Sequence, residues 1–112
     1  MTSFDGRRRK ESFDGVAADY DRYRPRYPEQ VVDTLMEMAG ISAGSRVLEI
    51  ACGTGQLSVP LASRGVELTA VELGENLAAV ARRNLSPWPS ASVEVSAFEA
   101  WPLPDRPFDA VV

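Results

Sequence analysis

The ten residues from Val47 to Gln56 constrain the fold of this chain more than any other stretch. They run Val-Leu-Glu-Ile-Ala-Cys-Gly-Thr-Gly-Gln, an apolar segment that ends in a glycine-rich turn. Valine, leucine and isoleucine are favoured in buried parallel strands. Gly53 and Gly55 allow a tight turn with no Cβ directed at a ligand, and the free N–H groups of a following helix would face that turn. The stretch therefore predicts the strand–turn–helix unit that binds nucleotides in doubly wound α/β folds.

Two residues of this unit differ from the motif of the dinucleotide-dependent dehydrogenases. That motif has a third glycine, which allows the helix to pack closely on the strand, whereas the third position here is Ser58. In addition, Glu49 lies inside the predicted strand, where an ionised carboxylate is costly unless a cation or a hydrogen-bond donor pairs with it. Both differences disfavour a nicotinamide-dependent oxidoreductase. A strand–turn–helix unit that holds no ligand stays open as an alternative.

The pattern Glu49-x-x-x-Gly53-x-Gly55 resembles motif I of the class I S-adenosylmethionine (SAM)-dependent methyltransferases. This resemblance implies that SAM is the cofactor, that Glu49 helps to hold its methionine amino end, and that the two glycines lie under it. Ala51 and Cys52 belong to the same turn and are implied to contact SAM as well. The implied function is transfer of the SAM methyl group to a small molecule. The alternative from another class is a module that binds SAM or a partner without catalysis.

The acid at the end of the second predicted strand carries the same resemblance. Glu72 follows Glu49 by 23 residues, and methyltransferases usually have Asp or Glu at this point. Such an acid can accept hydrogen bonds from both ribose hydroxyls, as in the dinucleotide-binding fold, and the adjacent Leu73 is implied to contact the cofactor too. Alternatively, Glu72 is only the acid that precedes the next helix.

The segment after the third predicted strand resembles the family segment beside adenine. An aspartate that contacts the exocyclic amine is frequent at the position that Ala97 holds here. This sequence therefore leaves the Phe98 N–H group, with Glu99 nearby, to contact the adenine ring.

A tyrosine- and arginine-rich link, residues 19–28, precedes the first strand and resembles the segment before motif I in many small-molecule methyltransferases. Within it, Tyr20 and Arg24 are implied to close over the methionine end of SAM, because the guanidinium fork matches a carboxylate. The alternative is a surface loop whose arginines pair with Asp19 and Asp21.

The predicted fold is α/β, a Rossmann-like parallel sheet flanked by helices, with neighbouring strands in the order third, second, first, fourth. The strands are predicted near residues 46–51, 66–71, 93–95 and 108–112, and the helices near residues 28–40, 55–64 and 75–85. The first of these helices is predicted to bury Val31, Leu35, Met38 and Ala39, and the second to begin irregularly because of Pro60. Residues 1–10 are expected to be a flexible arm, and residues 11–112 the truncated amino half of a methyltransferase domain. Such a half domain is expected to be inactive on its own and could self-associate through the exposed edge of its fourth strand.

Composition and charge exclude several other classes of protein. The formal net charge is −4, and residues 27–112 hold five basic and eleven acidic groups, which argues against nucleic acid as a partner. No apolar run approaches the roughly 20 residues of a membrane helix. A lone cysteine and the absence of a signal-peptide pattern predict a cytoplasmic protein. The chain has no histidine, so no histidine base or histidine metal site is predicted and no catalytic residue is assigned.

Overall fold

The structure, a computed structural model, describes residues 27–112. The helices are α1 (Glu29–Ala39), α2 (Ser58–Ser63) and α3 (Glu75–Leu85), with a 3-10 helix at Phe98–Ala100. The strands are β1 (Arg46–Ile50), β2 (Glu67–Glu72), β3 (Ala91–Val95) and β4 (Ala110–Val111). Tyr20, Arg24 and the predicted arm at residues 1–10 lie outside the described residues.

The four strands form one parallel sheet in the order β3-β2-β1-β4, which confirms the predicted topology. In register, Glu49 pairs with Ala70 and Glu72 pairs with Val95. The chain adds strands on one side of β1 first and then on the other, so the order reverses at β1. In open α/β sheets, ligands bind outside the carboxyl ends of the strands at such a reversal.

Helix α3 packs on the sheet as the sequence predicts, with the same bounds and the same buried face. Its buried residues are Leu77, Ala78, Val80, Ala81 and Leu85. Ala78 and Ala81 share a core cluster with Ala62, Ala70 and Cys52. Because these side chains are small, the helices and the sheet can approach closely behind the glycine turn.

The predicted buried stripe of α1 is wrong for three of its four residues, Val31, Met38 and Ala39, and holds for Leu35, which is half-buried. Val31 is 51% exposed and Met38 is 83% exposed, whereas Val32 is only 1% exposed. Val32, Leu35 and Met36 form the inward face, since the latter two are half-buried. The apolar residues of this helix form two overlapping sets, each with a spacing of three or four residues. Periodicity alone therefore does not determine which face is buried. Packing against the rest of the core selects the face that contains Val32.

Two element boundaries also differ from prediction. Residues 53–57 form turns, and the α-helix begins at Ser58, so Pro60 falls in its first turn, where a missing N–H does little harm. The irregular start is therefore confirmed, but the helix is shorter than predicted. The fourth strand is shorter as well, because Phe108 leaves the ladder and packs on Arg46, whose guanidinium carbon lies 4.6 Å from the ring centroid.

Candidate functional site

Two cavities open side by side at the carboxyl edge of the sheet. The first, called the Glu49 cavity, has a volume of about 220 Å³ and is lined by Tyr27, Glu49, Ile50, Ala51, Cys52, Gly53, Gln56, Leu57 and Val112. The second, called the Glu72 cavity, has a volume of about 150 Å³ and is lined by Ile50, Ala51, Val71, Glu72, Leu73, Ser96, Ala97, Phe98 and Glu99. Ile50 and Ala51 line both cavities, so the two are neighbours across the end of β1. Neither alone reaches the roughly 300–1,000 Å³ of a typical small-molecule site, but the two together do.

The Glu49 carboxylate is buried on the first strand and is held by a side-chain hydroxyl. Ser58 Oγ donates a hydrogen bond to Glu49 Oε1 at 2.5 Å, and both residues are buried. Burial raises the pKa of Glu49 from 4.5 to about 7, the Ser58 hydrogen bond opposes that rise, and the nearby Glu72 charge adds to it. The two departures from the dehydrogenase motif, Ser58 and Glu49, are thus a single interacting pair. Ser58 is the donor that the sequence argument required for a carboxylate in this strand.

The Glu72 carboxylate is buried at the end of the second strand and is held by backbone donors. Its Oε1 accepts the Gly53 N–H at 2.7 Å, and its Oε2 accepts the Gly74 N–H at 2.8 Å. Gly53 belongs to the turn after β1, and Gly74 belongs to the turn after β2. Glu72 therefore joins the two turns, and the Gly53 contact links the Glu72 cavity to the Glu49 cavity.

The turn after β1 contains three residues in the left-handed region: Ala51 at φ 60°, Gly53 at φ 60° and Gly55 at φ 98°. Gly53 lines the Glu49 cavity. A Cβ at Gly55 would instead meet Ser58, Val59 and Ala81 at 3.7–3.9 Å. Gly55 was predicted to contact the cofactor, but the structure places it behind the turn against α2 and α3, and it lines neither cavity.

Several polar side chains hold this turn in place, and no sequence motif predicted them. Asn84, on α3, donates from Nδ2 to the Thr54 carbonyl oxygen at 2.9 Å. The Gln56 side-chain amide donates to the Thr54 hydroxyl. In the described part of the chain, the buried polar residues are Glu49, Thr54, Gln56, Ser58 and Glu72. All of them belong to the turn, to the start of α2 or to the two strand-end acids, so the buried polarity of the molecule is concentrated at this site.

Cys52 lines the Glu49 cavity, but its thiol remains protonated. Burial, and then the neighbouring Glu49 and Glu72 charges, raise the pKa of Cys52 to about 12. Because the thiolate is the reactive form, this raised pKa and the burial of Cys52 disfavour a nucleophilic role and favour packing in the cavity wall.

The structure brings most of the predicted site residues together. Glu49, Ala51, Cys52 and Gly53 line one cavity, and Ala51, Glu72, Leu73, Ala97 and Phe98 line the other. The predicted residues Tyr20 and Arg24 are not described. The lining residues that were not predicted include Tyr27 and Val112, which are distant from motif I in the sequence. Tyr27 belongs to the tyrosine-rich link, and that is the one signal that could have identified it.

Comparison with known proteins identifies the family. Residues 47–112 match the family model described as a methyltransferase domain. The chain belongs to the class I SAM-dependent methyltransferase family. The match includes both strand-end acids, the glycine turn and all the described strands.

Two curated members of the family match most of this chain. The uncharacterized methyltransferase Rv3342 of Mycobacterium tuberculosis is 34% identical over 101 residues, which cover 90% of this chain and 39% of that protein. The malonyl-[acyl-carrier protein] O-methyltransferase of Geobacter sulfurreducens is 35% identical over 113 residues, covering 96% of this chain and 42% of that protein. The chain therefore spans about two fifths of the length of these relatives.

A solved structure with the same fold has a bound ligand. The glycopeptide N-methyltransferase MtfA, complexed with sinefungin, matches with a TM-score of 0.63 and 28% identity over 82% of this chain and 38% of that chain. Across residues 27–112, no helix has both the length and the apolar character needed to cross a membrane.

Proposed function

We propose that this chain binds SAM across the Glu49 and Glu72 cavities and serves as the cofactor-binding part of a methyltransferase that acts on a small molecule. The observation that carries this proposal is the pair of adjoining cavities at the strand-order reversal, each with a buried carboxylate and joined by the Gly53–Glu72 hydrogen bond. SAM has a cationic amino acid end and a nucleoside end, so it is an elongated ligand that suits two adjoining cavities.

The chemistry of each cavity matches one end of the cofactor. Glu49, buried with a hydroxyl donor, gains from a neighbouring ammonium group because a cation offsets the cost of the buried charge. Ala51, Cys52 and Gly53 form the turn beneath this methionine end. In the other cavity, Glu72 retains lone pairs that can accept ribose hydroxyls. Leu73 is 65% exposed and Phe98 is 38% exposed, so both offer an apolar edge to a purine beside Ala97.

When bound, SAM supplies a methyl group activated by its sulfonium. The residues of this chain bind and orient the cofactor, and positioning of this kind contributes much of the acceleration in a two-reactant transfer. The protonated Cys52 cannot act as an anionic base at neutral pH. We assign no catalytic base, since the described cavity walls are explained by cofactor binding alone.

We also infer that the segment before α1 helps to close the site. Tyr27, near the end of that segment, lines the Glu49 cavity, to which we assign the methionine end, and this contact supports the inference. We propose that Tyr20 and Arg24 then contact the cofactor carboxylate, as the family resemblance implies, within a domain of residues 11–112. Hydrogen exchange over residues 13–28 tests this inference. It should slow when S-adenosylhomocysteine (SAH) is added, and equal exchange in both states would favour a surface loop.

The acceptor that we propose is a small molecule in the cytoplasm and not a nucleic acid, because acids outnumber bases eleven to five in residues 27–112. The names of the relatives indicate acceptors as different as an acyl-carrier protein conjugate and a glycopeptide.

We further propose self-association through β4, because Val111 is 59% exposed on a strand that pairs with β1 in the described sheet. Light scattering at rising concentration tests this, and a strictly monomeric protein would contradict it.

Calorimetric titration with SAM, SAH and NAD tests the cofactor assignment. We expect both SAM and SAH to bind at micromolar concentrations and NAD to show no binding. Binding of NAD alone would contradict the proposal. A methyl-transfer assay over a panel of small acceptors then tests the enzymatic part. We expect the 112-residue chain alone to transfer no methyl group, because it spans about two fifths of the length of its relatives. Transfer by this chain to any acceptor would contradict the half-domain interpretation.

A further inference from the structure

Ala51 has an unfavourable backbone conformation at the centre of the site. Its φ is 60°, and it is the one non-glycine residue with a positive φ in residues 27–112, where five glycines also have positive φ. An alanine in the left-handed region is strained because its Cβ crowds the backbone, whereas glycine adopts this region freely. Strain of this kind persists only where the surrounding structure imposes it, and it clusters at functional sites.

The surrounding structure fixes Ala51 in place. Its N–H donates to the Val71 carbonyl oxygen at 2.8 Å, so the β1–β2 pairing continues one residue past the end of β1. The turn that follows is tied to β2 by the Gly53–Glu72 hydrogen bond. Ala51 is exposed and lines both cavities, so its methyl group is available to a ligand where the cavities meet.

We propose that Ala51 is a specificity-determining residue that limits the size of the alkyl group on the sulfur of the cofactor. The inference rests on the proposed function. If the amino acid end of SAM occupies the Glu49 cavity and the nucleoside end occupies the Glu72 cavity, the sulfonium that connects them must cross the end of β1. Ala51 and Ile50 are the residues common to both cavities. A glycine at position 51 would relieve the strain and remove side-chain bulk at this crossing, so the alanine provides bulk at the expense of stability.

The test compares the natural chain with Ala51→Gly in calorimetric titrations of SAM and S-adenosylethionine, which carries ethyl in place of methyl. We expect the natural chain to prefer SAM and Ala51→Gly to reduce that preference by about tenfold, the scale of discrimination for one methylene group. Urea unfolding gives a second readout that needs no ligand. Ala51→Gly should raise the folded-to-unfolded ratio by roughly fivefold, because the strain is lost.

Gly40→Ala is the matched control. Gly40 ends α1 at φ 69°, close to the φ of Ala51, and a Cβ there would meet no atom within 4 Å. This variant should lower the folded-to-unfolded ratio by a similar factor. It should leave the preference for SAM over S-adenosylethionine unchanged.

The outcomes separate the inference from the proposed function. If the natural chain binds neither SAM nor its ethyl analogue, both the proposed function and the inference are overturned. If both ligands bind and Ala51→Gly leaves their ratio unchanged, only the role of Ala51 is overturned. An unchanged ratio combined with higher stability would make Ala51 a strained turn residue without a part in specificity.

Discussion

Glu49 and Glu72 are two buried carboxylates at the carboxyl ends of neighbouring strands, and they are held in different ways. Glu72 accepts two backbone N–H groups, one from each adjoining turn. The hydrogen-bond donor to Glu49 in the described structure is one hydroxyl, Ser58, and burial raises the pKa of Glu49 to about 7. The comparison shows that backbone donors make Glu72 part of the framework. Glu49 is left with an electrostatic cost that a cation can relieve.

The largest effect that we expect from this difference is a dependence of stability on pH. The pKa of Glu49 is about 7 in the folded chain, against an ordinary value of 4.5 for an exposed glutamate. At a pH between these two values, the folded state therefore binds a proton that the unfolded state lacks. The free energy of unfolding should therefore fall by about 3 kcal/mol in total as pH rises through this window. Above the window it should level off. Urea unfolding at pH 5 and pH 8 measures the fall.

Glu49→Gln isolates the contribution of this one group. Glutamine has the same shape as glutamate but does not titrate. The variant should therefore lack the fall in stability that the natural chain shows between pH 5 and pH 8. The difference between the two profiles removes the contribution of carboxylates that do not interact with Glu49. Identical profiles would mean that Glu49 is not a strained, buried acid.

The second effect concerns the affinity of the Glu72 cavity for the cofactor. Glu72→Ala removes the acceptor for the ribose hydroxyls, and the loss of charge-assisted hydrogen bonds costs about 1.5–3 kcal/mol, or roughly ten- to a hundredfold in affinity. Titration with SAH measures the loss. Glu67→Ala is the matched control, because Glu67 begins the same strand and its carboxylate, 45% exposed, pairs with Arg46. Unchanged affinity in Glu72→Ala would make Glu72 a framework residue that joins the two turns and does not accept the ribose hydroxyls.

The smallest effect separates the residues that line the cavities from those that support them. Gly55→Ala would place a Cβ at ordinary contact distance from α2 and α3, but the backbone φ there is 98°. Because alanine is strained at this φ, the variant should lower stability by about 1 kcal/mol. It should leave SAH affinity unchanged. Gly53→Ala has a similar backbone penalty but adds its Cβ to a residue that lines the Glu49 cavity, so it should weaken binding as well. Equal losses of affinity in both variants would contradict this division.

The sequence predicted the parts of this molecule that local chemistry determines. The bounds of α3 and the need of Glu49 for a donor followed from residue type and spacing, and the strand–turn–helix unit at the glycine turn predicted the α/β class. The family resemblance correctly indicated the family, and Glu72 lies where it implied. These features are predictable because the glycine turn and the strand-end acids lie within one continuous unit.

The features that the sequence could not determine depend on packing between distant segments. Two faces of α1 are equally apolar in sequence, and only contact with the core selects Val32. Gly55 and Gly53 are equivalent in the motif, yet one faces Ala81 and the other a cavity. Support of Thr54 by Asn84 joins residues 30 positions apart, and no local pattern indicates it.

The central claim is that one SAM-like ligand occupies both cavities, and amide chemical shifts measured during an SAH titration test it most directly. A chain of 112 residues is small enough for residue-specific NMR. The account predicts that amides in the Glu49 cavity, such as Gly53, and amides in the Glu72 cavity, such as Phe98, shift together along curves with one dissociation constant. Shifts confined to one cavity, or two sets of shifts with different dissociation constants, would contradict it.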